Sequence, residues 1–174
     1  TSYVKVVRHP LLPGYLLKLY PDDETRIKQG VPGWQWLVKR CEGVARVRKM
    51  IKKRKMSYFK APRKWLYVLP SAFPTPGPIR QPFVLLVTDM NLVSREETRM
   101  AWKTVPNKAL LDELYYILSH GSGSRFLTGN IPYTRSGKFA LIDTEYPKRK
   151  ISMEKATEYL SPEMQIYWRK LIAD

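Results

Sequence analysis

Two β-rich runs, YVKVV at 3–7 and YLLKLY at 15–20, flank a turn region from Pro10 to Gly14, and together they predict a strand pair with Lys18 inside the second strand. The period then changes. Across 34–54, Trp34, Leu37, Val38, Cys41, Val44, Ala45 and Ile51 recur near helical spacing with basic residues between them, which predicts one long amphipathic helix. KWLYVL at 64–69 reads as a third strand. The following PSAFPTPGPIRQP is so rich in proline that it predicts an extended connector. FVLLV at 83–87 is apolar on both faces, as a buried central strand is.

The second half of the chain reads as mainly helical. Ser94 with Glu97 has the spacing of a capping box opening a helix through about Lys103. Pro106 and Asn107 precede a second helix whose stripe is Leu110, Leu111, Leu114, Ile117 and Leu118, ending near His120. A Gly/Ser loop follows. GNIPYTRSGKFALIDTE then predicts a β-hairpin turning at Ser136-Gly137, with a returning strand over 138–142. Two helix starts, Ser152 and Ser161-Pro162, close the chain, with Met153, Leu160, Met164, Trp168 and Leu171 as packing residues.

At 174 residues and 44% hydrophobic content the chain is the size of one domain with a real core. Thirty-one Lys and Arg face fifteen Asp and Glu, and this formal charge of +16 points to an anionic partner without choosing one. The single cysteine, Cys41, excludes an internal disulfide and a Cys-based zinc knuckle, and its apolar helix position predicts an inert buried thiol. His9 and His120 both stand beside turns with no acid at ligand spacing, which speaks against a zinc site or a His-based triad. No run approaches the ~18 apolar residues of a membrane span. Ser122-Gly123-Ser124 reads as a flexible loop, Asp22-Asp23-Glu24 as an exposed turn, and Asp112 and Glu113 as the outer face of their helix.

One constellation suggests chemistry. Lys18 stands in an apolar strand, Glu42 is the one acid of the next, otherwise basic helix, and Asn130 and Asp143 lie 13 positions apart across the expected hairpin, with IDTE at its end. In this order the features resemble a protein kinase reduced to a minimum, over about 15–145, and extend to atypical kinase-like proteins of bacteria, including effector kinases. The resemblance implies an α+β, minimal protein-kinase-like fold as a single domain, with a small antiparallel sheet lobe over 1–90 and a reduced, mainly helical lobe over 91–174. It implies that Lys18 holds the phosphates of ATP and Glu42 holds Lys18, while Asn130 and Asp143 coordinate Mg²⁺. TDMN after FVLLV stands where a hinge would meet the adenine. A cytoplasmic location is implied, bacterial or in a host cytosol.

Three departures accompany the resemblance. Arg125 occupies the place of the aspartate that accepts the substrate proton, and an arginine is no base at neutral pH. No Gly-rich loop precedes Lys18, and only about thirty residues follow Asp143. Together they imply a pseudokinase, or a phosphotransferase of altered chemistry, with no assigned catalytic residue.

The rival reading needs no nucleotide. Twelve basic residues between 39 and 64 face Glu42 alone, and on a helix Arg46, Lys49, Lys52, Lys53, Arg54 and Lys55 would form a face for nucleic acid, an acidic lipid surface or an acidic protein. Tyr58, Phe59, Trp65 and Tyr67 would stack bases in that reading, but they alternate as strand residues of a core do.

Overall fold

The computed structural model describes residues 5–19, 33–71, 83–124, 126–144 and 151–173. Most of the proline-rich connector, Asp22-Asp23-Glu24, Arg125 and Glu145 lie outside the described residues.

Four strands build an antiparallel sheet. They are β1 (Lys5–Val7), β2 (Tyr15–Leu19), β4 (Lys64–Val68) and β5 (Phe83–Thr88), in the spatial order β1-β2-β5-β4. FVLLVT therefore lies inside the sheet, as its two-sided apolar pattern requires. Gly14, at φ 80°, makes the left-handed step of the β1–β2 turn, and Asp89 N–H donates to its carbonyl at 2.8 Å.

Between β2 and β4 the chain forms α1 (Gly33–Lys53), whose apolar stripe does two jobs. Leu37 packs with Leu85 and Val87 of the sheet, with Cys41, Leu66 and Phe83 around them. About two to three turns further, Val44 and Val47 belong to a second, larger core shared with the helical half. The helix ends in a Schellman motif: Lys55 takes φ 52°, Met56 N–H reaches the Ile51 carbonyl and Lys55 N–H that of Lys52.

The larger core is helical. The Ser94–Glu97 capping box forms in both directions and starts α2 (Arg95–Thr104), which buries Thr98, Ala101 and Trp102. Asn107 caps α3 (Lys108–Ser119), whose whole leucine-isoleucine stripe is buried. Trp102 anchors the layer, stacking at 4.0 Å on Phe139 and donating its indole N–H to the Ile131 carbonyl. A 3₁₀ turn (Glu154–Tyr159) and α5 (Pro162–Ala173) complete it through Met164 and Trp168, and Trp168 donates to the Met153 carbonyl.

The expected hairpin is only partly one. Tyr133 bridges Phe139 around the Thr134–Gly137 turn, but the returning strand, β6 (Phe139–Ala140), has just two residues. Its ladder partner is β3 (Phe59–Lys60), in parallel, about 80 residues earlier in the chain. The Gly/Ser loop also runs into a one-turn helix, α4 (Leu127–Asn130), where only a turn residue was expected before the first arm. The pairing follows from burial: Phe139 lies against Trp102 and beside Phe59 in the main core.

Among the described residues no helix is long and apolar enough to cross a membrane.

Candidate functional site

Side chains at paired positions of a sheet share a face. Lys18 of β2 pairs with Leu85 and Lys64 of β4 pairs with Val87, so both lysines emerge on the face that α1 covers, flanking the Leu37–Leu85–Val87 cluster. From α1 comes Arg40, three residues after buried Leu37 and four before buried Val44, hence on the same helical face. The chain leaving β6 brings the fourth and fifth members, Asp143 and Thr144.

A short network locks this strip. Lys64 Nζ donates to the Ile142 carbonyl at 2.8 Å and to Thr144 Oγ1 at 3.1 Å, and Thr144 Oγ1 donates to the Arg40 carbonyl at 3.1 Å. Gly43 permits the approach: a Cβ there would overlap the Thr144 carbonyl oxygen. Asp143 is thereby held against α1, its Oδ1 3.9 Å from Arg40 Nη1. That carboxylate oxygen is buried and has no hydrogen bond among the described residues.

The electrostatics are one-sided. Lys64, 8% exposed, has its pKa pushed down to about 7, first by burial and then by Lys18 and Arg40, while Asp143 and Cys41 pull it up. The pKa of Lys18 is lowered too, first by burial, then by Arg40, against the pull of Asp143. Near neutral pH a deprotonated Lys64 still has two N–H donors, which match its two acceptors. An anion entering here would meet fixed cations in a low-dielectric setting, where charge pairing is strong. Cys41, half-buried beside them, has its thiol pKa raised by burial above all, as befits an unreactive thiol.

Lys18 and Asp143 thus lie on the same face beneath α1, near enough for the carboxylate to act on the Lys18 pKa but without an ion pair between them. Asn130 is tied to the residue before Asp143, its backbone carbonyl accepting from Ile142 N–H at 3.1 Å. The Asn130 side-chain amide donates to Ser124 Oγ at 2.9 Å, which turns its oxygen away from that bond. Glu42 is not part of the group. It is exposed, two residues and so about 200° around the helix from Arg40, and forms no ion pair with Lys18. Where the resemblance places an acid facing the strand lysine, α1 instead offers Arg40 facing Asp143.

The Mg²⁺ that the resemblance implies would have Asn130 and Asp143 as ligands. Their oxygens are of the hard type that Mg²⁺ takes. The surroundings do not fit it: Arg40 already faces Asp143 Oδ1, Lys18 and Lys64 flank it, and the described residues hold no group of three His, Cys, Asp or Glu that could bind a metal. Three backbone donors at the end of β5 and just beyond it are also engaged. Thr88 N–H goes to the Arg63 carbonyl, Asp89 N–H to that of Gly14 and Asn91 N–H to Asp89 Oδ1. A base at this edge would find few free donors.

In the sequence Arg40 and Lys64 are two of the twelve basic residues between 39 and 64. The signal that separates them was present: Arg40 shares the helical face of Leu37 and Val44, and Lys64 the strand face of Leu66. Both cations therefore point inward.

The rival basic surface has its own geometry. Lys49, Lys52, Lys53, Arg54 and Lys55 are exposed and Arg46 is half-buried, with Lys52 and Lys53 in the last turn of α1, where cations complement the helix dipole. Arg54 lies 4.0 Å over the Tyr116 ring, which stacks at 3.9 Å on His120. Of the aromatics, Phe59 is core and Tyr58 half-buried, its hydroxyl accepting from Asn107; Trp65 and Tyr67 face outward from β4, where the core reading had placed them inside. Glu113 differs from expectation as well. Its carboxylate accepts from Ser57 N–H and Tyr58 N–H at 2.8 and 3.1 Å, fastening the approach to β3.

The chain matches no protein-family model and no curated protein sequence.

Proposed function

We propose that this chain is a divergent, minimal kinase-like domain that binds a nucleoside triphosphate such as ATP and is impaired as a protein kinase. The observation that carries the reading is the convergence of Lys18 and Asp143, from opposite ends of the chain, on one face beneath α1. The order of elements supports it: a lysine-bearing strand, a helix over the sheet, an edge strand, a central strand and then helices. Triphosphate oxygens would meet Lys18, Arg40 and Lys64. Phosphoryl transfer also requires an acceptor proton to be removed. Arg125 stands where the resembled family has that base, so binding without efficient transfer is the expected outcome.

Millimolar ATP should raise the melting temperature of the parent by a few degrees, since a ligand of the folded state alone stabilises it in proportion to occupancy, and Lys18→Met should abolish most of that rise. Absence of any shift with ATP or GTP would remove the nucleotide reading.

A second reading is favoured by the exposed cations at the end of α1: a polyanion-binding surface, with nucleic acid its best candidate. None of the large hydrophobic side chains that stand exposed lies between 46 and 55, so an apolar anchor for a lipid surface is missing there among the described residues. Binding of a mixed-sequence oligonucleotide should weaken steeply with salt, and the Lys52→Glu, Lys53→Glu, Arg54→Glu triple variant should reduce affinity by roughly tenfold or more. Salt-independent binding, or an unchanged triple variant, would leave those charges as a solvated helix end.

A further inference from the structure

The charge beneath α1 determines what its ligand has to bring. Lys18, Arg40 and Lys64 come from three different elements and face one carboxylate, Asp143; with Lys64 protonated the described groups carry net positive charge before any ligand arrives. We propose that this site grips the polyphosphate of its nucleotide through Lys18, Arg40 and Lys64 and needs no divalent metal to do so. The inference rests on the nucleotide reading above and specifies its cofactor requirement.

Two features argue for it. The first is position. A dication coordinated by Asp143 would share the carboxylate with the Arg40 guanidinium, whose Nη1 is 3.9 Å from Oδ1, with Lys18 and Lys64 on the same face and Lys18 close enough to lower the pKa of Lys64. Like charges so placed oppose metal entry and favour an anion. Fixed protein cations can neutralise phosphate oxygens, which is the electrostatic service a metal otherwise renders.

The second is pre-organisation. Thr144 Oγ1 accepts from Lys64 and donates to the Arg40 carbonyl, so the strand lysine and the helix are tied through one hydroxyl. Arg40 itself is 12% exposed in its side chain, held inside rather than waving in solvent. Cations already held in place cost little ordering entropy when a ligand arrives. Lys64 gains further from occupation, because an anion beside a buried amine favours its charged form.

The test is calorimetric titration of the full chain with ATP and with inorganic tripolyphosphate, in excess Mg²⁺ and in excess EDTA. ATP should bind in EDTA with a Kd weaker than that in Mg²⁺ by less than about fivefold, and tripolyphosphate should compete for the same site. Asp143→Asn, which keeps the shape and removes the negative charge, should bind ATP as tightly as the parent or more tightly. Arg40→Gln should lose about tenfold or more in EDTA, and Lys64→Met serves the same purpose if Arg40→Gln does not fold. Loss of more than about fivefold in EDTA, or of ATP binding in Asp143→Asn, would overturn the inference and return the phosphate to a metal-held site. No binding of either ligand in either buffer would defeat the nucleotide reading itself, a result distinct from a metal requirement.

Discussion

Replacing Gly43 with alanine is expected to destabilise the fold by about 2–4 kcal/mol and to lower the melting temperature by several degrees. In a helix interior the same change normally gains close to 1 kcal/mol, because alanine has the higher helix propensity. Here the added Cβ would run into the carbonyl oxygen and carbon of Thr144, backbone atoms that cannot rotate aside. The helix and the 141–144 segment would have to separate, stretching the Thr144 bond to the Arg40 carbonyl and the Lys64 bond to the Ile142 carbonyl. Those contacts hold Asp143 against α1, so the ATP-induced thermal shift should shrink as well. Thermal unfolding followed by circular dichroism decides it. An alanine variant as stable as the parent would mean that the close approach does not exist in solution.

The second large effect concerns Lys64 and pH. In the unfolded chain its pKa is that of an ordinary lysine; folded, it is about 7, chiefly because burial disfavours the charged amine. Between these values the unfolded chain binds a proton that the folded chain does not, so stability rises with pH from about 7 towards 10.5, by at most about 1.4 kcal/mol per unit from this one group. Below about 7 both states are protonated and the full cost of the buried charge remains. The lowered pKa of Lys18 acts in the same direction. Lys64→Met removes the cost at the expense of two hydrogen bonds, and should stabilise the protein by about 2 kcal/mol at pH 6–7. That gain should fade as pH approaches 10. Urea denaturation of parent and variant across pH 6–9 provides the measurement. A difference between the two that stays constant with pH would show that Lys64 keeps an ordinary pKa in the folded protein.

These two predictions bear on the residues that decide what the site can do. Its cations are inside the molecule, where their cost in stability is real, and groups whose pKa burial shifts that far cluster at functional sites. Stability of the parent should therefore rise when the site is occupied, which links the thermal-shift experiments to the pH experiments through the same two lysines.

Much of the architecture was written in short-range pattern. The long basic helix, the capping box at Ser94, the Asn107 cap and the strand FVLLV follow from periods of 3.6 or 2 and from side chains that bond their own neighbours, and such signals need no knowledge of the rest of the chain. Order and spacing single out Lys18, Glu42, Asn130 and Asp143 together; the fold puts Lys18 and Asp143 on one face, engages the Asn130 amide with Ser124 and leaves Glu42 exposed on another face. Being the one acid in a basic stretch drew attention to it, yet the stripe Leu37–Cys41–Val44 already puts it off the inward face of α1. The pairing of β6 with β3 was equally hidden, since alternation tells which residues share a face but not which distant strand lies alongside. The meaning of Arg40 and Lys64 likewise came only from folding. Period shows that each points inward, but a buried cation becomes part of an anion site, or of a neutralised pair, according to what a segment some 80 to 100 residues away brings against it. Here that segment is Asp143-Thr144, admitted to α1 by the missing side chain of Gly43, and it supplies a single carboxylate for three positive charges.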